Sequence, residues 1–145
     1  MGLTTIDFYF NAAERLAVAC RLAGKAVQQG KRVLVYAPQP ELAQRIDRML
    51  WTWQAISFLP HCYADDALAA ETPVLIGAAP VSAPGCEILI NLDGGCPPFF
   101  ERHERLLEIV SADQAERQAG RARYAFYRDR GYAIRSHDLA AEVSQ

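Results

Sequence analysis

Apolar positions along the chain form two kinds of run. Val33-Leu-Val-Tyr-Ala37, Val74-Leu-Ile-Gly77 and Glu87-Ile-Leu-Ile-Asn-Leu92 are continuous stretches of strand length. Such runs suit strands buried on both faces, as in a parallel sheet. Ile6-Asp-Phe-Tyr-Phe10 is a further β-prone run, and Leu106-Leu-Glu-Ile-Val110 reads as another strand. Elsewhere the period becomes helical. From Ala12 to Gln29 apolar residues recur at Leu16, Ala19/Cys20, Ala23 and Val27, one face of a helix that Gly30 stops. Asn11 and Glu14 have the reciprocal capping-box spacing that starts it. Pro38 and Pro40 open a second helix, Glu41 to about Trp51, with Leu42, Ile46 and Met49/Leu50 inward. Ser111 with Gln114 repeats the capping signal before a long helix, Asp113 to about Arg130, which ends at Gly131.

The remaining segments are connectors. Ser57–His61 reads as extended, because Pro60 biases Leu59 to β or polyproline geometry. Tyr63–Thr72 is polar and acidic, Gly94–Pro98 is a turn, and a short helix follows from about Phe99. The order β-α-β-α-β-β-(α)-β-α predicts one three-layer α/β domain over residues 1–145 with a mainly parallel sheet. The last fifteen residues or so are expected to add one short segment, the final ~8 then fraying.

Composition supports this reading. At 145 residues, 51% hydrophobic and 22% charged, the chain is long enough for one proper core and is not a disordered tail, coiled coil or collagen-like fibre. No apolar run approaches the roughly 20 residues of a membrane span. The N-terminus, Met1-Gly-Leu-Thr-Thr-Ile-Asp7, lacks a basic n-region, an apolar h-region and a cleavage site. A cytoplasmic protein is therefore expected, with Cys20, Cys62, Cys86 and Cys96 reduced; none forms C-x-x-C or has a histidine at metal-ligand spacing. The net charge of −2 argues against strong overall attraction to nucleic acid. Its distribution is uneven. Arg117–Arg135 holds six arginines against one acid, Asp129, a local charge of +5.

The usual chemistry of α/β sheets is missing. The turn after the first strand is Asn-Ala-Ala-Glu, so G-x-G-x-x-G is absent, and there is no G-x-x-x-x-G-K-[ST] loop and no G-x-S-x-G elbow. Gly94-Gly95 follows a strand, but Pro97 and Pro98 remove two N–H donors that a phosphate would need. Asp65-Asp66 reads as a solvated acidic loop. His61, His103 and His137 are scattered, and neighbours His61 and Cys62 on an extended segment point to opposite faces, which disfavours a Cys/His nucleophile. No catalytic residue, metal or cofactor is expected.

Two surfaces stand out instead. Arg117, Arg121, Tyr124 and Arg128 follow i, i+4, i+7, i+11 spacing, three cations and an aromatic on one helical stripe. Arginine forks bind carboxylates and the tyrosine ring can wall an apolar pocket, which suits an acidic peptide ending in a hydrophobic residue or a nucleic-acid backbone; the stripe is equally consistent with a solvated face. Trp51, Trp53 and Phe58 are three large aromatics within eight residues, either core anchors or a binding hot spot.

Leu50-Trp-Thr-Trp-Gln-Ala-Ile-Ser-Phe-Leu-Pro-His61, followed by a polar loop and Thr72-Pro-Val-Leu-Ile-Gly77, resembles the chi subunit family of bacterial DNA polymerase III holoenzyme. Asp7-Phe-Tyr-Phe10, the Cys20–Ala26 helix, Gly30-Lys-Arg-Val-Leu-Val35, Ile88-Leu-Ile-Asn-Leu92 and Arg121-Ala-Arg-Tyr-Ala-Phe-Tyr-Arg128 before Gly131-Tyr132 agree in order and spacing. The resemblance covers nearly the whole chain. It implies a Rossmann-like fold without nucleotide chemistry, and a replisome-associated accessory subunit of the clamp-loader assembly. It also implies pairing with the psi subunit and capture of the acidic, Phe-terminated tail of single-stranded DNA-binding protein. In some bacteria a helicase-like repair protein uses much the same surface as psi.

Carried over by residue, the tail site resembles Arg117, Arg121 and Tyr124, with Val110 as an apolar wall. The family can carry lysine where this chain has Ala125, which shifts weight to the arginines, with Arg128 as compensation. The psi-facing surface resembles the Trp51 and Phe58 region. Two competing readings are a direct single-stranded nucleic-acid binder using the arginine helix and a small nucleotide-dependent enzyme. The acidic remainder of the chain opposes the first, and the missing phosphate loops oppose the second.

Overall fold

A computed structural model describes residues 4–52, 60–78 and 85–140. In chain order the elements are β1 (Thr5–Ala12), α1 (Arg15–Gln28), β2 (Val33–Tyr36), α2 (Pro40–Thr52), β3 (His61–Tyr63), β4 (Val74–Gly77), β5 (Ile88–Asn91), β6 (Arg105–Ser111), α3 (Gln114–Asp129) and β7 (Ile134–Asp138), with 3₁₀ turns at Ala69–Glu71 and Phe100–Arg102. Seven strands pair in the order β3-β4-β2-β5-β6-β1-β7, every neighbouring pair parallel.

The continuous apolar runs explain this sheet. Side chains alternate across a strand, so both faces must be covered. Val33, Val35, Ile76, Ile88, Ile90 and Ile109 join one core with α1 and α2. Leu34, Leu75, Leu89, Leu106, Ile6 and Phe8 join a second, on the face that carries Tyr127 of α3. The result is three layers.

Two buried carboxylates fasten the fold, one between layers and one within the sheet. Glu108 of β6 is fully buried and accepts from Asn91 Nδ2 at 3.0 Å, Arg123 Nε at 2.8 Å and the Tyr127 hydroxyl at 2.6 Å. Desolvation pushes its pKa up, while Arg123, Tyr127 and Asn91 oppose by favouring the charged form. This cluster bolts α3 to the sheet. Asp7 of β1, also fully buried, accepts from Arg135 Nε at 2.8 Å, Arg105 Nη2 at 2.9 Å and His137 Nε2 at 3.0 Å, tying β6, β1 and β7 together. Burial alone would raise its pKa, but the hydrogen bonds from Arg135, His137 and Arg105 outweigh burial and hold it below the usual carboxylate range.

Several local expectations are corrected. Asn11 does not cap α1: β1 runs on to Ala12, Asn11 has φ +64°, and its amide donates to Asp138 Oδ1 at 2.9 Å. Glu14 is the cap, accepting from the Leu16 N–H at 3.1 Å. Ser111 still belongs to β6, and Asp113 is the cap of α3, while the Glu116 side chain reaches back past it to Ser111. Asp113 accepts from the Glu116 N–H and Glu116 from the Ser111 N–H, at 3.2 and 3.3 Å. The helix expected from Phe99 is only the 3₁₀ turn Phe100–Arg102. Two short strands, β3 and β7, become the sheet edges. The extended reading of Ser57–Leu59 and most of the expected frayed tail, residues 141–145, lie outside the described residues.

Candidate functional site

α3 has two faces with different duties. Gly120, Arg123 and Tyr127 are buried and turn toward the sheet. A Cβ on Gly120 would lie 2.8 Å from Val110 Cγ2 and 3.1 Å from Cγ1, so glycine lets the helix approach β6 closely. Val110 is 2% exposed. It supports the helix from below and does not line the open pocket above it.

On the outer face, Arg121, Tyr124 and Arg128 line an open pocket of about 500 Å³ with Phe10 of β1 and Ser136 of β7. Tyr124 is half-buried, its ring 5.2 Å from that of Phe8. Phe8 in turn stacks on Phe10 at 5.6 Å. The tyrosine is thus a fixed wall. Arg121 is exposed, and Arg128 is exposed beside Asp129 at 3.2 Å. Arg117 is exposed one turn from Arg121, outside the lining. The structure therefore brings together three of the four stripe residues and adds Phe10 and Ser136, which helical spacing could not reveal.

The local +5 charge is less open than the sequence implies. Arg123 is buried against Glu108, Arg135 pairs with Asp7, and Arg130 stacks 3.6 Å above the Phe126 ring. Arg117, Arg121 and Arg128 remain as the outward stripe.

Trp51, at the end of α2, is 57% exposed, and its ring meets that of His61 of β3 at 4.8 Å. His61 is buried and lies 3.2 Å from Asp47. Trp51 is therefore a surface residue rather than a core anchor. Phe58 and Trp53 lie outside the described residues.

Open α/β sheets bind ligands beyond the strand C-termini where the strand order reverses. Here that place, beside β2 and β5, is filled from within. Arg15 Nη2 donates to the Leu92 carbonyl at 2.7 Å, Arg123 Nη1 to the Gly94 carbonyl at 2.9 Å and Asn91 Nδ2 to the Gly95 carbonyl at 3.0 Å. The Gly95 N–H donates to Asp93 at 3.2 Å. The loop turns carbonyls inward and occupies one of its own donors, the reverse of a phosphate cradle. Cys20 and Cys86 are equally unpromising nucleophiles: burial pushes the Cys20 thiol to about 12 and the Cys86 thiol to about 11.

Fold and site together define an α/β domain with a closed switch-point crevice and an arginine-lined groove along a helix flank. The sequence comparisons agree on its family. The family model described as DNA polymerase III chi subunit, HolC, matches residues 3–135. The chain belongs to this family, whose members are accessory, non-catalytic subunits of the DNA polymerase III complex. DNA polymerase III subunit chi of Pseudomonas aeruginosa is 36% identical over 141 residues, covering 94% of this chain and 98% of the relative. The Escherichia coli subunit chi is 31% identical over 132 residues, covering 90% and 88%. That of Haemophilus influenzae is 28% identical over 123 residues, covering 84% and 85%. No helix among the described residues is long and apolar enough to cross a membrane.

Proposed function

We propose that this chi-family chain is a tether with two protein-binding surfaces. The groove of Arg121, Tyr124, Arg128, Phe10 and Ser136 takes the acidic, Phe-terminated tail of single-stranded DNA-binding protein. The Trp51 surface takes the psi subunit, and through it the clamp loader, or in its place a helicase-like repair protein. The observation that carries the first assignment is the composition of the groove. Two exposed guanidiniums stand beside two aromatic rings, Phe10 and Tyr124, in an opening of about 500 Å³. Guanidinium forks suit the tail's carboxylates, and the rings suit its terminal phenyl group. Arg117 extends the cationic stripe toward acidic residues further along the tail. The exposure of Trp51 supports the second assignment, because a large exposed aromatic is a typical interface anchor.

The test is fluorescence anisotropy with a labelled acidic peptide ending in Phe. Arg121→Ala is expected to weaken binding by about 1.5–3 kcal/mol, the size of a charge-assisted hydrogen bond. Raising salt is expected to weaken the wild type as well. Unchanged affinity in the variant would remove Arg121 from the site. Tight binding of a labelled oligonucleotide at physiological salt, lost in the same variant, would replace the peptide reading with a nucleic-acid one.

A further inference from the structure

A second cationic pocket lies on the opposite face of the sheet. Alternation along β1 and β7 puts Phe10 and Ser136 in the groove beside α3, and their neighbours Tyr9 and His137 in a separate cavity of about 270 Å³ beside α1. Arg21 and Lys25, one turn apart on α1, line it from above, and Arg105 of β6 lines it from the sheet. Gln29 and the Tyr9 side chain add polar groups, and the Tyr9 and His137 rings stack at 4.6 Å.

The charge balance of this pocket is unequal. Asp7 is the carboxylate beneath it, and it is shared by two guanidiniums, those of Arg105 and Arg135, and by His137. One negative charge thus faces two positive ones before α1 is counted. Arg21 and Lys25 have no carboxylate partner among the described residues. Arg21, Lys25 and Arg105 line the recess, and against the one carboxylate of Asp7 beneath it they leave an excess of two positive charges. A helix that needed these residues only for solubility would have no reason to aim them at an excess of its own sign. Like charges at i, i+4 repel.

We infer that this pocket binds a phosphoryl group. The volume lies at the lower end of small-ligand sites, so it suits one compact oxyanion rather than a peptide. A single carboxylate would offset only half of that excess, whereas a phosphoryl dianion or a run of backbone phosphates would offset it. Arginine supplies paired donors and lysine a point charge, the usual combination on phosphate oxygens. The phosphoryl group has two sources, a free phosphate or phosphate monoester and the backbone of a single-stranded nucleic acid.

The experiment is a ¹H–¹⁵N NMR titration of the full chain at constant ionic strength, once with inorganic phosphate and once with a short oligothymidylate. Saturable shifts are expected at the amides of Tyr9, Arg21, Lys25 and His137. Both α1 cations are exposed, so Arg21→Ala/Lys25→Ala should keep its fold and thermal midpoint while losing about tenfold or more in affinity. Arg121→Ala, on the other face, should leave these shifts unchanged. Tighter binding of the oligonucleotide than of phosphate assigns the site to a nucleic-acid backbone; the reverse assigns it to a small phosphate. Absence of saturable shifts at these amides, or the same affinity in the double variant, would overturn the inference.

Discussion

Gly120→Ala tests how α3 is held over the sheet. In an exposed helix this change would stabilise by about 1 kcal/mol, because alanine has the higher helix propensity. Here the new methyl would meet both γ-methyls of Val110, at 2.8 and 3.1 Å. Valine is stiff at χ1, and rotation cannot clear both methyls together. The helix must lift or β6 must give, a strain of about 1–3 kcal/mol. The balance is a net loss of about 0–2 kcal/mol, which lowers the thermal midpoint by up to about 8 °C for a chain of this size. Val110→Ala alone removes two buried methyl groups and is expected to cost about 2 kcal/mol. Combined, the two changes compensate, since the alanine at 120 enters the space that Val110 leaves; the double variant should be more stable than the sum of the singles by about 1–3 kcal/mol. Urea denaturation of the four proteins measures this coupling. Tail-peptide affinity should fall in Gly120→Ala, as Tyr124 and Arg121 move relative to Phe10, and recover in the double variant. A Gly120→Ala protein that is stabilised by about 1 kcal/mol, or a cycle additive within about 0.3 kcal/mol, would refute the reasoning.

Two further predictions concern the buried carboxylates. Tyr127→Phe keeps the ring and removes the 2.6 Å hydrogen bond to Glu108, so thermal unfolding should register a loss of about 1.5–3 kcal/mol, and the variant should retain the native far-ultraviolet circular dichroism. Asp7 has a folded-state pKa below its unfolded value of 3.8, so its contribution is fully present above that pH and is lost as pH falls through the folded value. Asp7→Asn should therefore destabilise at neutral pH and flatten the acid limb of the stability profile below about pH 4; parallel acid limbs in variant and wild type would sink this.

What was legible in the sequence tracks how much burial each segment has. β2, β4 and β5 are apolar on both faces, so their runs stand out. β7 is Ile-Arg-Ser-His-Asp, with polar side chains on both sides of an edge, and carries no strand pattern. Its place depends on Asp7, 128 positions from Arg135. The cap signals lie within a few residues of the true helix starts, and the offset has a common cause: β1 and β6 each extend past their apolar run and carry Asn11 and Ser111 within them. In the candidate groove, the α3 stripe was visible as a helical repeat. Phe10 and Ser136 were not, since only the parallel pairing of β1 with β7 brings them together. In the sequence the six-arginine segment is a single positive region, but burial partitions it into structural pairs and an open stripe.

The strand order has a mechanical consequence. The proposed psi surface lies beside β3 and the proposed tail groove beside β7, the two outer strands. Six inter-strand spacings separate them, about 29 Å at ~4.8 Å each. Tension between the two partners would run along the hydrogen bonds and load the ladders in series, like links of a chain. The weakest link is then the shortest ladder, β3 on β4, with only His61, Cys62 and Tyr63 paired. Under load this domain should part first at its psi-side edge, leaving the strands around Asp7 and Glu108 intact.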